Sequence, residues 1–252
     1  MRVHASPNHD ARPPATPIDT LVLHYTGMPS AAAALERLAA PEARVSSHYL
    51  LEEDGSLVQL VPEERRAWHA GASFWRGATD INSRSIGIEI VNPGHEWGYR
   101  PFPPAQMRAL VALCHGLLER HPILHENVVA HSDIAPDRKQ DPGELFAFSF
   151  LARNGIGLFP EGVPDLGTGD IAAVPAALAS VRADLAAIGY DVRPSGAPDR
   201  ELALVLTAFQ RHWRPEAITG TADRGTCARL AAVKDLTALK GLVASPLAPA
   251  RA

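Results

Sequence analysis

Residues 85–91 read Ser-Ile-Gly-Ile-Glu-Ile-Val, and this stretch restricts the fold of the chain most tightly. Isoleucine at 86, 88 and 90 alternates with Gly87, Glu89 and Val91, so the period is two and the segment is a strand. One face is wholly apolar and has to be covered by another layer. The other face carries a carboxylate among β-formers, and that group has to meet water, a cleft or a partner.

The surrounding sequence supplies the rest of a sheet. Thr20–Tyr25 (TLVLHY) is a buried strand, and Ser47–Leu51 with Leu57–Val61 flanks Asp54-Gly55 as a hairpin. Val128–His131 is a further strand end. Ser30 caps a helix reaching to about Ala40. Met107, Leu110, Val111, Cys114, Leu117 and Leu118 fall on one face of a helix over Pro104–His121. Strands interspersed with helices and a tight hairpin predict an α/β domain over residues 18–156, a mixed central β-sheet flanked by helices.

Residues 1–17 hold four prolines without apolar periodicity and read as an irregular arm. Residues 157–175 hold four glycines and three prolines and read as a linker or an extended wrap. Over 176–235 the pattern predicts a small C-terminal three-helix domain. Ala176–Ile188 ends at Gly189, Asp199 caps a helix bearing Leu202, Val205, Leu206, Phe209 and Trp213, and a third helix runs from about Asp223 to Val233. Residues 236–252 are expected to be a tail, frayed over Ser245–Ala252.

Composition narrows the function classes. The 252 residues are 46% hydrophobic and 21% charged, which excludes a disordered or collagen-like chain. No apolar run approaches the ~18 residues of a membrane span, so the protein is not expected to cross a bilayer. The net charge of -4 offers no basic footprint, so nucleic acid is not an expected partner. Cys114 and Cys227 form no CxxC, and Cys114 belongs to the apolar face of its helix. The first residues show no apolar signal-peptide core. With Met1 as the native start, the cytoplasm is the expected compartment.

Among 11 histidines, two end apolar runs: His24 and His131. Ten residues after His131 comes Asp141, in HSDIAPDRKQDPG. Two imidazoles and one carboxylate make a three-ligand set for zinc with an open fourth position, whose net positive charge acidifies water and polarises a carbonyl. Spacing alone leaves this open, because there is no HExxH and a lone histidine is ordinarily a surface or satisfied core residue. Glu89 is a candidate base, against the plain alternative of a solvent-facing strand residue. Lys139 is a candidate oxyanion partner, against that of a solvated loop lysine.

Five stretches then occur together in order: LVLHYT at 21–26, SSHYLLEEDGSLVQLVPE at 46–63, AWHAG at 67–71, NSRSIGIEIVN at 82–92 and VAHSDIAPDRKQDPG at 129–143. With them the chain resembles the zinc-dependent N-acetylmuramoyl-L-alanine amidases of the type 2 family, which includes phage lysozyme-type amidases and peptidoglycan recognition proteins. The resemblance implies zinc held by His24, His131 and Asp141; some members carry cysteine at the Asp141 position. It implies Glu89 as the catalytic acid–base group and Lys139 as the group that stabilises the transition state. It makes Tyr49, His69 and Asn82 candidates for substrate binding. Residues 176–235 resemble, more loosely, a three-helix peptidoglycan-binding domain, through Phe209, Gln210, Arg211, Gly220 and Asp223.

What the resemblance implies is hydrolysis of the amide between N-acetylmuramic acid, or its anhydro form, and L-alanine of the peptidoglycan stem peptide. Glu89 takes a proton from the attacking water and returns it to the leaving nitrogen. The partner would be peptidoglycan or a muropeptide, in cell-wall degradation or recycling. Two other classes remain at this point: a zinc peptidase acting on another peptidoglycan bond, and a non-catalytic peptidoglycan-binding protein, which the intact ligand set opposes. A wall-binding domain would place the protein in the periplasm or cell wall rather than in the cytoplasm.

Overall fold

The computed structural model describes residues 1–169 and 175–243. Its strands are β1 (Arg2–Val3), β2 (His9–Ala11), β3 (Thr20–Tyr25), β4 (Tyr49–Leu51), β5 (Leu57–Gln59), β6 (Arg65–Ala67), β7 (Ser85–Ile90) and β8 (Val128–Ala130). Six of them form a mixed sheet in the order β1-β5-β4-β7-β3-β8, and β2 pairs with β6. Strand β3 is parallel to both neighbours, β7 and β8. Strand β4 is parallel to β7 and antiparallel to β5, the predicted hairpin partner. The mixed α/β class read from the sequence is the class observed.

The helices are α1 (Ala31–Ala39), α2 (Ile81–Arg84), α3 (Gly94–Trp97), α4 (Pro104–Arg120), α5 (His131–Ile134), α6 (Phe148–Arg153), α7 (Pro175–Ile188), α8 (Arg200–Trp213) and α9 (Arg224–Val243). The Ser30 hydroxyl accepts from the Ala33 amide and caps α1, an interaction typically worth ~1 kcal/mol. Ile86, Ile88 and Ile90 of β7 join Leu21 and Leu23 of β3 in the core that Met107, Leu110, Cys114 and Leu117 of α4 cover. Cys114 is therefore core, and burial pushes its thiol up to about 12. On the opposite face, Ala34 and Leu38 of α1 cover Leu50 and Val58. Among the described residues, no helix is long and apolar enough to cross a membrane.

Two sequence expectations change. The proline-rich arm is not irregular throughout: β1 extends the large sheet and β2 clamps β6. Strands this short at a sheet edge are held by backbone hydrogen bonds and leave no side-chain period to read. Helix α9 runs to Val243, well into the stretch expected to be a tail. The frayed end expected over 245–252 lies outside the described residues.

The C-terminal helices share a core with the sheet-bearing part of the chain. Val22, Ala70, Trp75, Ile81, Val129 and Ile134 form one buried cluster with Leu185, Tyr190, Val205, Phe209 and Trp213. Gly189 ends α7 as predicted, at φ +144, and a Cβ there would stand 2.6 Å from Arg76 Cγ. The loop at Trp75-Arg76 docks on that helix end, with the Arg76 amide donating to the Gly189 carbonyl at 2.9 Å. The described part of the linker is anchored as well, because Asp165 pairs with the buried guanidinium of Arg214 at 2.8 Å.

Candidate metal centre and substrate cleft

The strand register places the chemistry. His24 of β3 and Glu89 of β7 are lateral partners, so they share a face near the C-terminal ends of parallel strands. His131 follows directly on β8. The ends of three parallel strands thus converge, the usual place for a site in such sheets. Val22 and Gly87 lie on the same face one step earlier, and the isoleucines face the other way.

His24 Nδ1 lies 2.8 Å from His131 Nδ1 and 3.1 Å from Asp141 Oδ2, and His131 Nδ1 lies 3.0 Å from Asp141 Oδ2. All three residues are buried. Each imidazole has its outer nitrogen on a protein partner: His24 Nε2 meets His69 Nδ1 at 3.1 Å, and His131 Nε2 meets the Ala70 carbonyl at 3.3 Å. Burial, with His131 adding to it, lowers His24 to about 4, so the ring is neutral at neutral pH. Burial alone would raise Asp141, but the imidazoles and their hydrogen bonds outweigh it and hold the carboxyl below its usual range. Two imidazole nitrogens and a carboxylate oxygen facing one another within 3.1 Å form a donor set that a cation would bind. The edges are a few tenths of an ångström shorter than those of a tetrahedron with bonds of about 2.0–2.1 Å to zinc, so a small relaxation would admit the ion. The donor set fits zinc.

The triad opens on a cleft of about 330 Å³. Glu89, Lys139, His69 and Arg138 line it together with His131 and Asp141. Glu89 Oε2 is shut off from solvent without a hydrogen-bond partner. Burial and the Asp141 charge push the Glu89 carboxyl well above its ordinary value, while Lys139 pulls the other way. A cation at the triad would also favour its ionised form. The structure therefore brings together His24, His131, Asp141, Glu89 and Lys139.

It does not bring Tyr49 to the cleft. Tyr49 pairs with Ile88 in the β4–β7 register, which puts it on the apolar face under α4. Its hydroxyl donates to Glu63 Oε1 at 2.5 Å. Asn82 is also corrected: it is buried, and its Oδ1 accepts from the His69 and Ala70 amides at 3.0 and 2.8 Å. It holds the backbone behind the site rather than facing substrate. His69 touches the cleft but has both ring nitrogens engaged within the protein. Tyr25 and His95, joined at 3.0 Å, form a further part of the cleft wall, one that no motif singled out. In the C-terminal helices Gln210 points inward, its Oε1 accepting from the Thr219 and Gly220 amides at 2.8 Å each. That residue builds the turn before α9.

A buried His-His-Asp donor triangle with a carboxylate and an ammonium in one cleft is the layout of a metal-assisted hydrolase. Residues 14–144 match the family model described as N-acetylmuramoyl-L-alanine amidase. The chain is 44% identical over 225 residues to the N-acetylmuramoyl-L-alanine amidase AmiD of Escherichia coli (strain K12), covering 83% of this chain and 79% of that protein. The solved complex of that AmiD with the substrate anhydro-N-acetylmuramic acid-L-Ala-D-gamma-Glu-L-Lys superposes with a TM-score of 0.77 at 40% identity, over 88% of this chain and 91% of that one. AMPDH3 of Pseudomonas aeruginosa, in complex with anhydromuramic pentapeptide, gives a TM-score of 0.74 at 30% identity, over 89% and 95% of the two chains. The 1,6-anhydro-N-acetylmuramyl-L-alanine amidase AmpD of Enterobacter cloacae is 36% identical over 161 residues, covering 57% of this chain and 84% of its own. The chain belongs to the N-acetylmuramoyl-L-alanine amidase family and is a hydrolase of that class.

Proposed function

We propose that the protein cleaves the amide between the muramic acid lactyl group and L-alanine of a peptidoglycan stem peptide, with the anhydro-muropeptide as its favoured form. The observation that carries this reading is the convergence of His24 Nδ1, His131 Nδ1 and Asp141 Oδ2 beside an unpartnered Glu89 oxygen in one cleft. The anhydro-muramyl ligands in the solved relatives favour that sugar form. His24, His131 and Asp141 are the residues to hold zinc. Zinc bound there would acidify a water and polarise the scissile carbonyl.

Glu89 Oε2 takes the proton of the attacking water and passes it to the leaving alanine nitrogen, for which a raised proton affinity suits it. The Lys139 ammonium, on the same cleft wall, faces the developing oxyanion. No side chain is required as a nucleophile.

The test is digestion of N-acetylmuramoyl-L-alanyl peptide and of its anhydro form, each with and without a zinc chelator, followed by mass. Release of intact peptide beginning with L-alanine, lost with chelator and restored by zinc, is expected. Cleavage within the stem peptide instead would replace the amidase by a peptidase.

A further inference from the structure

His69 stands behind the metal triad in a chain of hydrogen bonds whose direction can be worked out from its far end. Ser85 Oγ lies 2.6 Å from the Ile81 carbonyl oxygen, which can only accept, so the hydroxyl proton is spent there. Ser85 Oγ also lies 3.0 Å from His69 Nε2 and, toward that nitrogen, has only acceptor capacity left. His69 therefore carries its proton on Nε2. Its Nδ1 is then a bare acceptor, 3.1 Å from His24 Nε2. The His24 proton sits on Nε2, and Nδ1 is left as the lone pair facing His131 Nδ1 and Asp141 Oδ2.

A second observation stands apart from these bonds. Gly87 stands between Ile86 and Ile88 in β7, yet nothing in its backbone demands glycine. A Cβ at this position would lie 2.5 Å from His69 Cγ and 2.7 Å from Nδ1 and Cδ2. The ring rests on the backbone of β7 where any side chain would displace it.

We propose that His69 is a positioning residue that, directed by Ser85 and seated on Gly87, holds His24 in the tautomer whose Nδ1 is free to ligate metal. The proposal rests on the reading of His24 as a metal ligand. Asn82 completes the arrangement from the main chain: it grips the amides of His69 and Ala70, and the Ala70 carbonyl receives His131 Nε2. One short segment thus orients both imidazoles. Outer-shell partners of this kind typically change metal affinity by ~10–100-fold when removed.

Two measurements test it. The first is the imidazole ¹⁵N–¹H spectrum of the metal-free wild-type chain. Nε2–H tautomers at both His24 and His69 are expected, and an Nδ1–H tautomer at His24 overturns the proposal whether or not zinc binds. The second is a zinc competition titration, with folding checked by circular dichroism. His69→Leu and Gly87→Ala are each expected to lose about 10–100-fold in affinity. Gly87→Ala removes no hydrogen-bonding group and so isolates the seat of the ring. His69→Asn, whose amide oxygen can stand where Nδ1 stood, is expected to recover most of that loss. Wild-type affinity in both His69→Leu and Gly87→Ala overturns the relay. Failure of the wild type to take up zinc would instead remove the metal reading, and the spectrum would still decide the tautomer.

Discussion

Asp133 Oδ2 accepts from His212 Nδ1 at 2.6 Å, joining the turn that begins with His131 to the last stretch of α8. The same oxygen takes the Ala130 amide at 2.8 Å, and Oδ1 takes the Tyr190 hydroxyl at 2.6 Å. The His212 ring is stacked between Phe148 at 3.7 Å and Trp213 at 3.8 Å. Every partner of this carboxylate is buried, so the C-terminal helices hold the backbone that presents His131.

His212→Ala should therefore act on the whole molecule. It removes a stacked ring and leaves a buried carboxylate oxygen with one partner fewer. The expected cost is about 3 kcal/mol of unfolding free energy. Urea denaturation of the metal-free chain measures it. A loss confined to unfolding of the C-terminal helices, with the remainder melting as in the wild type, would show that the two parts do not stand on one core.

Glu89→Gln is expected to retain zinc and lose turnover. The substitution keeps the shape and removes the exchangeable proton site, for which a loss of ~10²–10⁴-fold in kcat is typical. Elemental analysis and steady-state kinetics on the same preparation separate the two effects. Near wild-type kcat would take Glu89 out of the reaction.

His24→Ala should behave in the opposite way. One donor of the triangle disappears and the protein should purify with markedly less zinc, activity falling in proportion to metal content. Full zinc occupancy in this variant would move the metal elsewhere. The contrast with Glu89→Gln matters because the two residues are neighbours in the register of β3 and β7, yet only His24 supplies an atom of the donor triangle.

The central strands were legible because they rest on local signals, whereas His24, His131 and Asp141 became a ligand set only through the ordered motifs of the family resemblance. Ile86, Ile88 and Ile90 give the strand and its face, and His24 and His131 end apolar runs. Tyr49 went astray because its face depends on register, and pairing with Ile88 rather than Glu89 turns it to the opposite side of the sheet. Asn82 and His69 were found as motif residues, but their roles lie in contacts with residues distant in sequence. Gly87 was a visible signal: glycine in a strand marks a close approach. The shared core under α7 and α8 had no such signal, since an apolar helix face does not say what covers it.

His48 supplies a test of acid stability away from the triad. Its Nδ1 accepts the Gly87 amide at 3.0 Å, and its Nε2 meets the Arg65 carbonyl at 3.1 Å, so the residue just before β4 bridges β7 and β6. Burial, helped by the Arg12 charge, lowers the ring to about 3. In the unfolded chain the same ring titrates near 6.5. Between those values the unfolded state binds the extra proton, so stability rises with pH and is lost as pH falls from about 6.5 towards 3. One such group contributes up to about 1.4 kcal/mol per pH unit within that window. His48→Gln should flatten the slope of unfolding free energy against pH between 6 and 4 by close to one proton. Denaturant titrations of both chains across that range measure it, and equal slopes would mean that this ring is protonated in the folded protein as readily as in the unfolded one.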